Sequence, residues 1–468
     1  MKALIPIVVS FAIMFLIEFV KRYRKNQAIE KKHLAFQQEW RTKTLDYVKK
    51  LNAFIAKGVK DGWESAGEEP KDPGREHLAP YAITHIMKAN ETENFAELRE
   101  KWPPAHAPLV KYLEKKGQAI PALFFLPDDS IIAYICDGSA AKTVQIKGDS
   151  VTTIDGIGLF GRCPNRRFFA IAKEKGIQIT DRWLGNETAF CPWPTGLEDV
   201  PEKLGASPWQ KPPTPEQIIP FPCGTRVLVA SSNGVHVLSK ECATRLLPTT
   251  ELLLEEAETE IAEDEHNQLL PYLSMAHGAI SPDGTLIAVG HQDSQHLVFN
   301  DKLEQIATIG MMSSYPHYAL FNKTATHLAF NSCHFYNGIT IAAPTDIING
   351  LQTEEYEEDS RVPQVEEMSR VYAGTSRDDN FIIGDAYGYV RAFTPSGKHL
   401  WQHFVGSTIG AIDTSADGST MAVSSCAGFI SIFKLDAGKQ APHQVGDGGN
   451  EEFRRWIFWK GEKKPLIW

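Results

Sequence analysis

A chain of 468 residues with 43% hydrophobic and 23% charged side chains can bury a large core, which excludes global disorder. Its formal net charge of −10 speaks against nucleic acid as the main partner, because phosphate contacts need clustered Lys and Arg. The seven cysteines (Cys136, Cys163, Cys191, Cys223, Cys242, Cys333 and Cys426) are odd in number and never at C-x-x-C spacing, so neither a zinc site nor a disulfide framework is signalled.

The first element is residues 3–20, ALIPIVVSFAIMFLIEFV, which carry one charge, Glu18. As a helix this run spans ~27 Å, just enough for a ~30 Å hydrocarbon core. Leu4, Ile5, Val8, Phe11, Ile13, Phe15, Leu16 and Ile17 are the expected membrane anchor. Lys21, Arg22, Arg24 and Lys25 follow it, which by the positive-inside rule keeps the rest of the chain in the cytoplasm. A single pass through the inner or cytoplasmic membrane is therefore expected, with a periplasm-facing body as the alternative. A cleaved signal peptide would want its charges before the apolar run and small residues after it, where EFVKRYRKNQ stands instead.

Residues 26–58 have helical spacing and no Gly or Pro before Gly58, with Leu34, Phe36, Trp40, Leu45, Val48, Leu51 and Phe54 as apolar positions. They predict a stalk helix. Residues 62–76 read as a linker, and 77–117 as helical again around WPPAHAP. The expected division is anchor 1–25, helical stalk and linker 26–118, and a β domain over 119–468.

Within the β domain a single unit recurs. Residues 280–300, ISPDGTLIAVGHQDSQHLVFN, hold a turn pair, an apolar run, a polar turn and a second apolar run. Similar segments lie at 124–138, 162–179, 220–238, 320–341, 376–393 and 414–433. GYVRAF and GFISIF alternate apolar with small or polar residues, as strands do. The turn markers are Asp128, Pro164, Cys223, Asp283, Asn322, Asp378 and Asp417, separated by 36, 59, 60, 39, 56 and 39 residues. Three steps match the ~40 residues of a four-stranded propeller blade, and the others add an insertion of roughly 20.

Through the hairpins SPDGTLIAVG and SADGSTMAVS the chain resembles the WD40-like and YVTN-like β-propellers over about residues 120–468. The Trp-Asp dipeptide of standard WD40 arrays is absent. The resemblance implies a mainly β fold, a seven-bladed β-propeller, with blades near 124–160, 162–190, 219–245, 279–310, 320–345, 372–404 and 408–468. The segment SGKHLWQHF, with Gly397 and Trp401, resembles a quinoprotein-type repeat but occurs once, so a hairpin with a packed Trp is expected. The tail 451–468 reads as strand, turn at Gly461, strand, and is expected to close the first or last blade, because open sheet edges aggregate.

Linear catalytic motifs are missing. GIGLFG (156–161) matches G-x-G-x-x-G, but a turn and a strand follow it where a dinucleotide site needs a helix. His291, His296, Cys333 and His334 have no companions at metal-ligand spacing. No catalytic residue, metal site or cofactor is therefore expected.

The insertions are more informative. Residues 251–266 hold eight acids and no base: Glu251, Glu255, Glu256, Glu258, Glu260, Glu263, Asp264 and Glu265. Residues 354–360 add Glu354, Glu355, Glu357, Glu358 and Asp359. Both are read as following the same repeat phase, after blades three and five, and hence as projecting from one side of the disc. There they would make a negative field for a basic protein partner, with Leu252, Leu253, Leu254 and Ile261 as apolar anchors. A third insertion, 191–217, is Pro-rich with Trp193 and Trp209 and should form a stiff rim. The expected function is a membrane-anchored protein–protein interaction platform, such as an inhibitor or immunity-type protein capturing a basic partner. The alternatives are a propeller enzyme (quinoprotein-like oxidoreductase or hydrolase) and an assembly scaffold for an envelope complex.

Overall fold

The computed structural model describes residues 5–138, 140–260, 272–335 and 337–468, with backbone only for 5–17 and 256–260. The chain forms two compact units: Met1–Tyr112 with Leu466–Trp468, and Leu113–Pro465.

The first unit is helical. One uninterrupted helix runs from Ile5 to Asp61, with Pro6 confined to its first turn, where no intrahelical N–H is lost, and no further Gly or Pro until Gly58. Its C-terminal half is packed. Trp40, Val48, Leu51 and Ile55 are buried, whereas Leu34 is exposed. The Trp40 ring lies 5.8 Å from Trp102 and 6.5 Å from Trp468, and its Nε1–H donates to the Pro103 carbonyl at 2.9 Å. Arg75 reaches the same helix, donating to Thr44 Oγ1 at 2.7 Å. Of the expected anchor, Leu4 lies outside the described residues, and Ile5, Val8, Phe11, Ile13, Phe15, Leu16 and Ile17 lie on described helical backbone. Among the described residues, no helix is long and apolar enough to cross a membrane.

The second unit is a ring of seven sheets, each with four principal antiparallel strands taken in chain order. Their inner strands are Ala119–Phe125, Phe160–Arg162, Gln217–Pro220, His277–Ile280, Pro316–Phe321, Val371–Arg377 and Ile409–Thr414. All seven turn markers fall between the first and second strands of their blades. In blade four the pairing Ala279↔Ala288, Ile287↔Phe299 and Val298↔Ala307 makes 280–300 two consecutive hairpins, with Gly284 supplying the positive φ of the first turn. Blades bury both faces of their central strands, because each is sandwiched between neighbours. Val227–Ser231 is buried throughout, and even Ser431, a polar position of GFISIF, is 1% exposed.

The tail divides. Glu451–Ile457 is the fourth strand of blade seven, pairing with Phe429–Lys434, whereas Leu466–Trp468 belong to the helical unit. There Trp468 is fully buried, its indole N–H donating to the Trp102 carbonyl at 2.7 Å. The ring itself closes without exchanging a strand between its ends. The Asp413 carboxylate of blade seven accepts from the Phe125 amide of blade one (2.7 Å) and from Arg162 of blade two (2.8 Å). Ser424 Oγ adds a bond to the Ile120 carbonyl at 2.6 Å. Gly410 lets these strands approach, since a Cβ there would sit 2.3 Å from the Ile120 oxygen.

Candidate interaction face

Strand order gives the propeller two unlike faces. On the hairpin face lie the turns between first and second strands and between third and fourth. On the leading face, where inner strands begin, lie the blade-to-blade links and the turns between second and third strands.

The first acidic insertion is on the leading face. It leaves the outer strand Ala243–Leu247 of blade three and forms a helix, Thr250–Glu260. Glu251 and Glu255 are exposed, while Leu253 is 1% exposed and Leu252 and Leu254 half-buried. The expectation of a free apolar anchor is thereby corrected for Leu253, which holds the helix down instead. Glu256, Glu258 and Glu260 lie on described helical backbone, and Ile261, Glu263, Asp264 and Glu265 lie outside the described residues. The chain returns at Leu273, whose amide bonds the Ser232 carbonyl, and at Ser274, whose carbonyl accepts from Gln292.

The second acidic insertion differs in phase from its expected place. Residues 345–363 are not a link after blade five but the connection between its third and fourth strands, which by strand order starts on the hairpin face. It then climbs the outer strand of blade four, bridging Thr308 to Gln352 in parallel and bonding Tyr356 N–H to the Met311 carbonyl at 2.8 Å. Glu355 thus meets Gln295 Nε2 (2.8 Å) in the leading-face turn of blade four. The two acidic segments therefore flank blade four on one face, by a route that repeat phase does not reveal. Glu354, Glu355, Glu357 and Glu358 are exposed. Asp359 is committed to Arg361 at 2.6 Å, a bond that holds its carboxyl down at about 2.

The Pro-rich insertion also folds on this face. Trp193 Nε1–H donates to the Lys173 carbonyl at 3.0 Å, and Trp209 meets His236 edge to face at 5.8 Å. Glu198 accepts from the Thr195 and Gly196 amides, which fixes the bend and keeps its carboxyl below the usual range despite burial.

Of the histidines in the sequence motifs, His291 and His296 are buried. His296 is 1% exposed, 6.1 Å from the His277 ring and 4.7 Å from Phe330. His291 is also buried, and burial pushes all three imidazoles down, His277 to about 4. Cys333 is buried and His334 exposed. Among the described residues, no group of three or more His, Cys, Asp or Glu is disposed to hold a metal. The last glycine of GIGLFG serves packing: a Cβ on Gly161 would lie 1.6 Å from the Ile218 carbonyl of blade three, whereas Gly156 supplies the positive φ (71°) of a turn. Trp401 packs against the core between blades six and seven, as a simple hairpin requires.

Along the ring axis runs a cavity of about 780 Å³, lined by the inner strands with Phe124, Phe160, Ile218, Tyr318 and Ile409 among them. Arg162 and Arg166, at its hairpin end, are already paired. Arg162 lies over the Phe124 ring and bonds Asp413, and Arg166 bonds the Thr414 carbonyl at 2.9 Å.

No protein-family model matches the chain, and no curated protein matches it. Among solved structures it is similar to the Myceliophteria thermophila Cps50 (Swd1) β-propeller domain, at 10% identity and a TM-score of 0.42, covering 65% of this chain and 95% of that one. Its own seven sheets of four principal strands make the chain a seven-bladed β-propeller with an N-terminal helical region.

Proposed function

We propose that this protein is an interaction platform held at a membrane by its N-terminal apolar run, whose propeller captures a basic protein through the acidic leading face. The observation that carries the reading is the convergence of two acidic segments, from different repeat phases, on either side of blade four. A rigid ring whose acidic segments gather in one sector steers an oppositely charged partner and sets its orientation. In its sharpest form the partner is a toxic or regulatory basic protein that capture keeps inactive at the cytoplasmic side of the membrane. The uncharged stretch 3–17 and the basic cluster 21–25 support the anchoring.

The test is retention of a small basic protein, lysozyme, on the immobilised full chain at low salt. The native chain should retain it. A variant with Glu251, Glu255, Glu354, Glu355, Glu357 and Glu358 changed to Lys should not. Equal retention by both would remove the acidic face from the mechanism. Separately, deletion of residues 3–20 should move the protein from the membrane to the soluble fraction on cell fractionation. The enzyme alternative lacks support of this kind, since two of the cavity's basic groups, Arg162 and Arg166, are engaged in ring closure.

A further inference from the structure

The leading face of blades four to six exposes four large apolar side chains: Tyr315 (39%), Phe335 (67%), Tyr356 (54%) and Met368 (58%). They come from four different connections and form one arc. Tyr356 OH meets Ser314 Oγ at 3.1 Å, next to Tyr315. The Tyr315 ring lies 5.7 Å from that of His334, and His334 lies 4.7 Å from Phe335. Tyr387 of blade six donates its hydroxyl to the Phe335 carbonyl at 3.2 Å, and Met368 N–H bonds the Gly338 carbonyl at 2.6 Å.

All four exposed residues have positive φ: 69° at Tyr315, 54° at Phe335, 62° at Tyr356 and 70° at Met368. Bulky side chains are disfavoured in that region, and glycine would occupy it without penalty. Folding alone would favour glycine at such turns. Tyr and Met are enriched where proteins bind one another and are poor choices for solvated turns. Strain kept at exposed positions points to a use outside the fold.

The surroundings select the occupant. Glu354, Glu355, Glu357 and Glu358 border the arc beside Tyr356. The cation of the neighbouring link, Arg370, is half-buried and directed inward, its Nε donating to His317 at 3.0 Å. A second copy packed on this face would oppose like carboxylates, and an anionic lipid surface would be repelled. An arginine side chain suits both features, because its guanidinium stacks on aromatic rings and pairs with carboxylates. We propose that Tyr315, His334, Phe335, Tyr356 and Met368 form the anchoring surface for a protein segment that carries arginine and apolar side chains, with the neighbouring glutamates engaging its guanidinium groups. This rests on the reading of the leading face as a site for a basic protein, and it names where and by what chemistry the partner is held.

The experiment uses the detergent-solubilised full chain and fluorescence anisotropy with three labelled peptides: alternating Arg and Leu, the same with Ser for Leu, and the same with Glu for Arg. The Arg-Leu peptide should bind about tenfold tighter than the Arg-Ser peptide, and the Glu peptide should not bind. The double variant Phe335→Gly, Met368→Gly should lose that tenfold while its melting temperature holds or rises, because glycine relieves the positive-φ turns. Equal affinity for the Arg-Leu and Arg-Ser peptides, unchanged binding by the double variant, or a fall in its melting temperature would overturn the proposal. If Glu354, Glu355, Glu357 and Glu358 changed to Lys abolish Arg-Ser binding while the glycine variant changes nothing, the acidic face stands and the aromatic anchor falls. If no peptide binds, both fall.

Discussion

On the hairpin face, Asp283 accepts from Ser281 Oγ at 2.5 Å and from the Thr285 amide at 3.1 Å, and Asp417 does the same with Ser415 (2.5 Å) and Ser419 (3.0 Å). Asp128 bonds Ser130 Oγ at 2.5 Å and pairs with Lys147. These carboxylates complete their own turns, and the bonds hold Asp128 and Asp417 down at about 2. On the leading face, Glu354, Glu357 and Glu358 stand exposed beside aromatic residues in disfavoured backbone conformations. The first kind of acid serves folding and repeats with the blade. The second serves no turn and appears where the blade pattern is broken. An acidic residue therefore has to be read by what its oxygens bond, not by its charge alone.

The largest expected effect lies at ring closure. Asp413 and Arg162 are 2% and 8% exposed, so Asp413→Ala leaves a buried guanidinium without its carboxylate. A loss of ~3–5 kcal/mol in unfolding free energy is expected by urea denaturation. A loss no larger than that of an ordinary surface substitution would mean that the closure rests on strand packing instead.

Acid is the next lever. Burial lowers His236, His277 and His403 to about 4 and His317 to about 3. The unfolded chain binds these protons first, near pH 6.5. The stability contributed is present above that pH and is lost as pH falls toward the folded values. By pH 5 each should have forfeited roughly 2 kcal/mol. Glu366 works in the opposite direction, since burial raises it to about 7, but it is a single group. Urea midpoints at pH 7 and pH 5 should therefore differ markedly, and equal midpoints would refute the account.

Asp283→Ala removes a turn cap and should lose about 1 kcal/mol by the same assay. The smallest effect on stability is expected from Glu354, Glu357 and Glu358 changed together to Ser. The melting temperature should stay put while retention of a basic protein falls and its salt dependence weakens. A large loss of stability there, or none at Asp283, would erase the distinction between the faces.

The blades were legible because they repeat. A turn pair followed by an apolar run is imposed by local chemistry, and Asp283-Gly284 and Asp417-Gly418 carry it in four or five residues. The acidic insertions were visible as composition, but the phase of 345–363 was not, because the Thr308–Gln352 bridge joins segments more than forty residues apart. The burial of Leu253 was equally hidden, since three consecutive leucines on a short acidic helix do not say which one faces the ring. Nothing in the sequence marked Tyr315, Phe335, Tyr356 and Met368, since a positive φ at a non-glycine residue is set by the turn around it.

What the sequence determined alone is therefore what depends on neighbours along the chain: hairpin turns, the apolar runs between them, the seven-fold count, the long helix with no Gly or Pro between Pro6 and Gly58, and where the charge lies. What only the tertiary structure decided depends on groups brought together from afar. The Asp413 clamp, the burial of Trp468 among the helices, the meeting of two acidic segments at blade four and the aromatic arc beside them are of this kind. Local rules act over a few residues and leave a mark in the sequence. Ring closure acts across hundreds of residues and surface convergence across roughly fifty to a hundred, where only packing can enforce them.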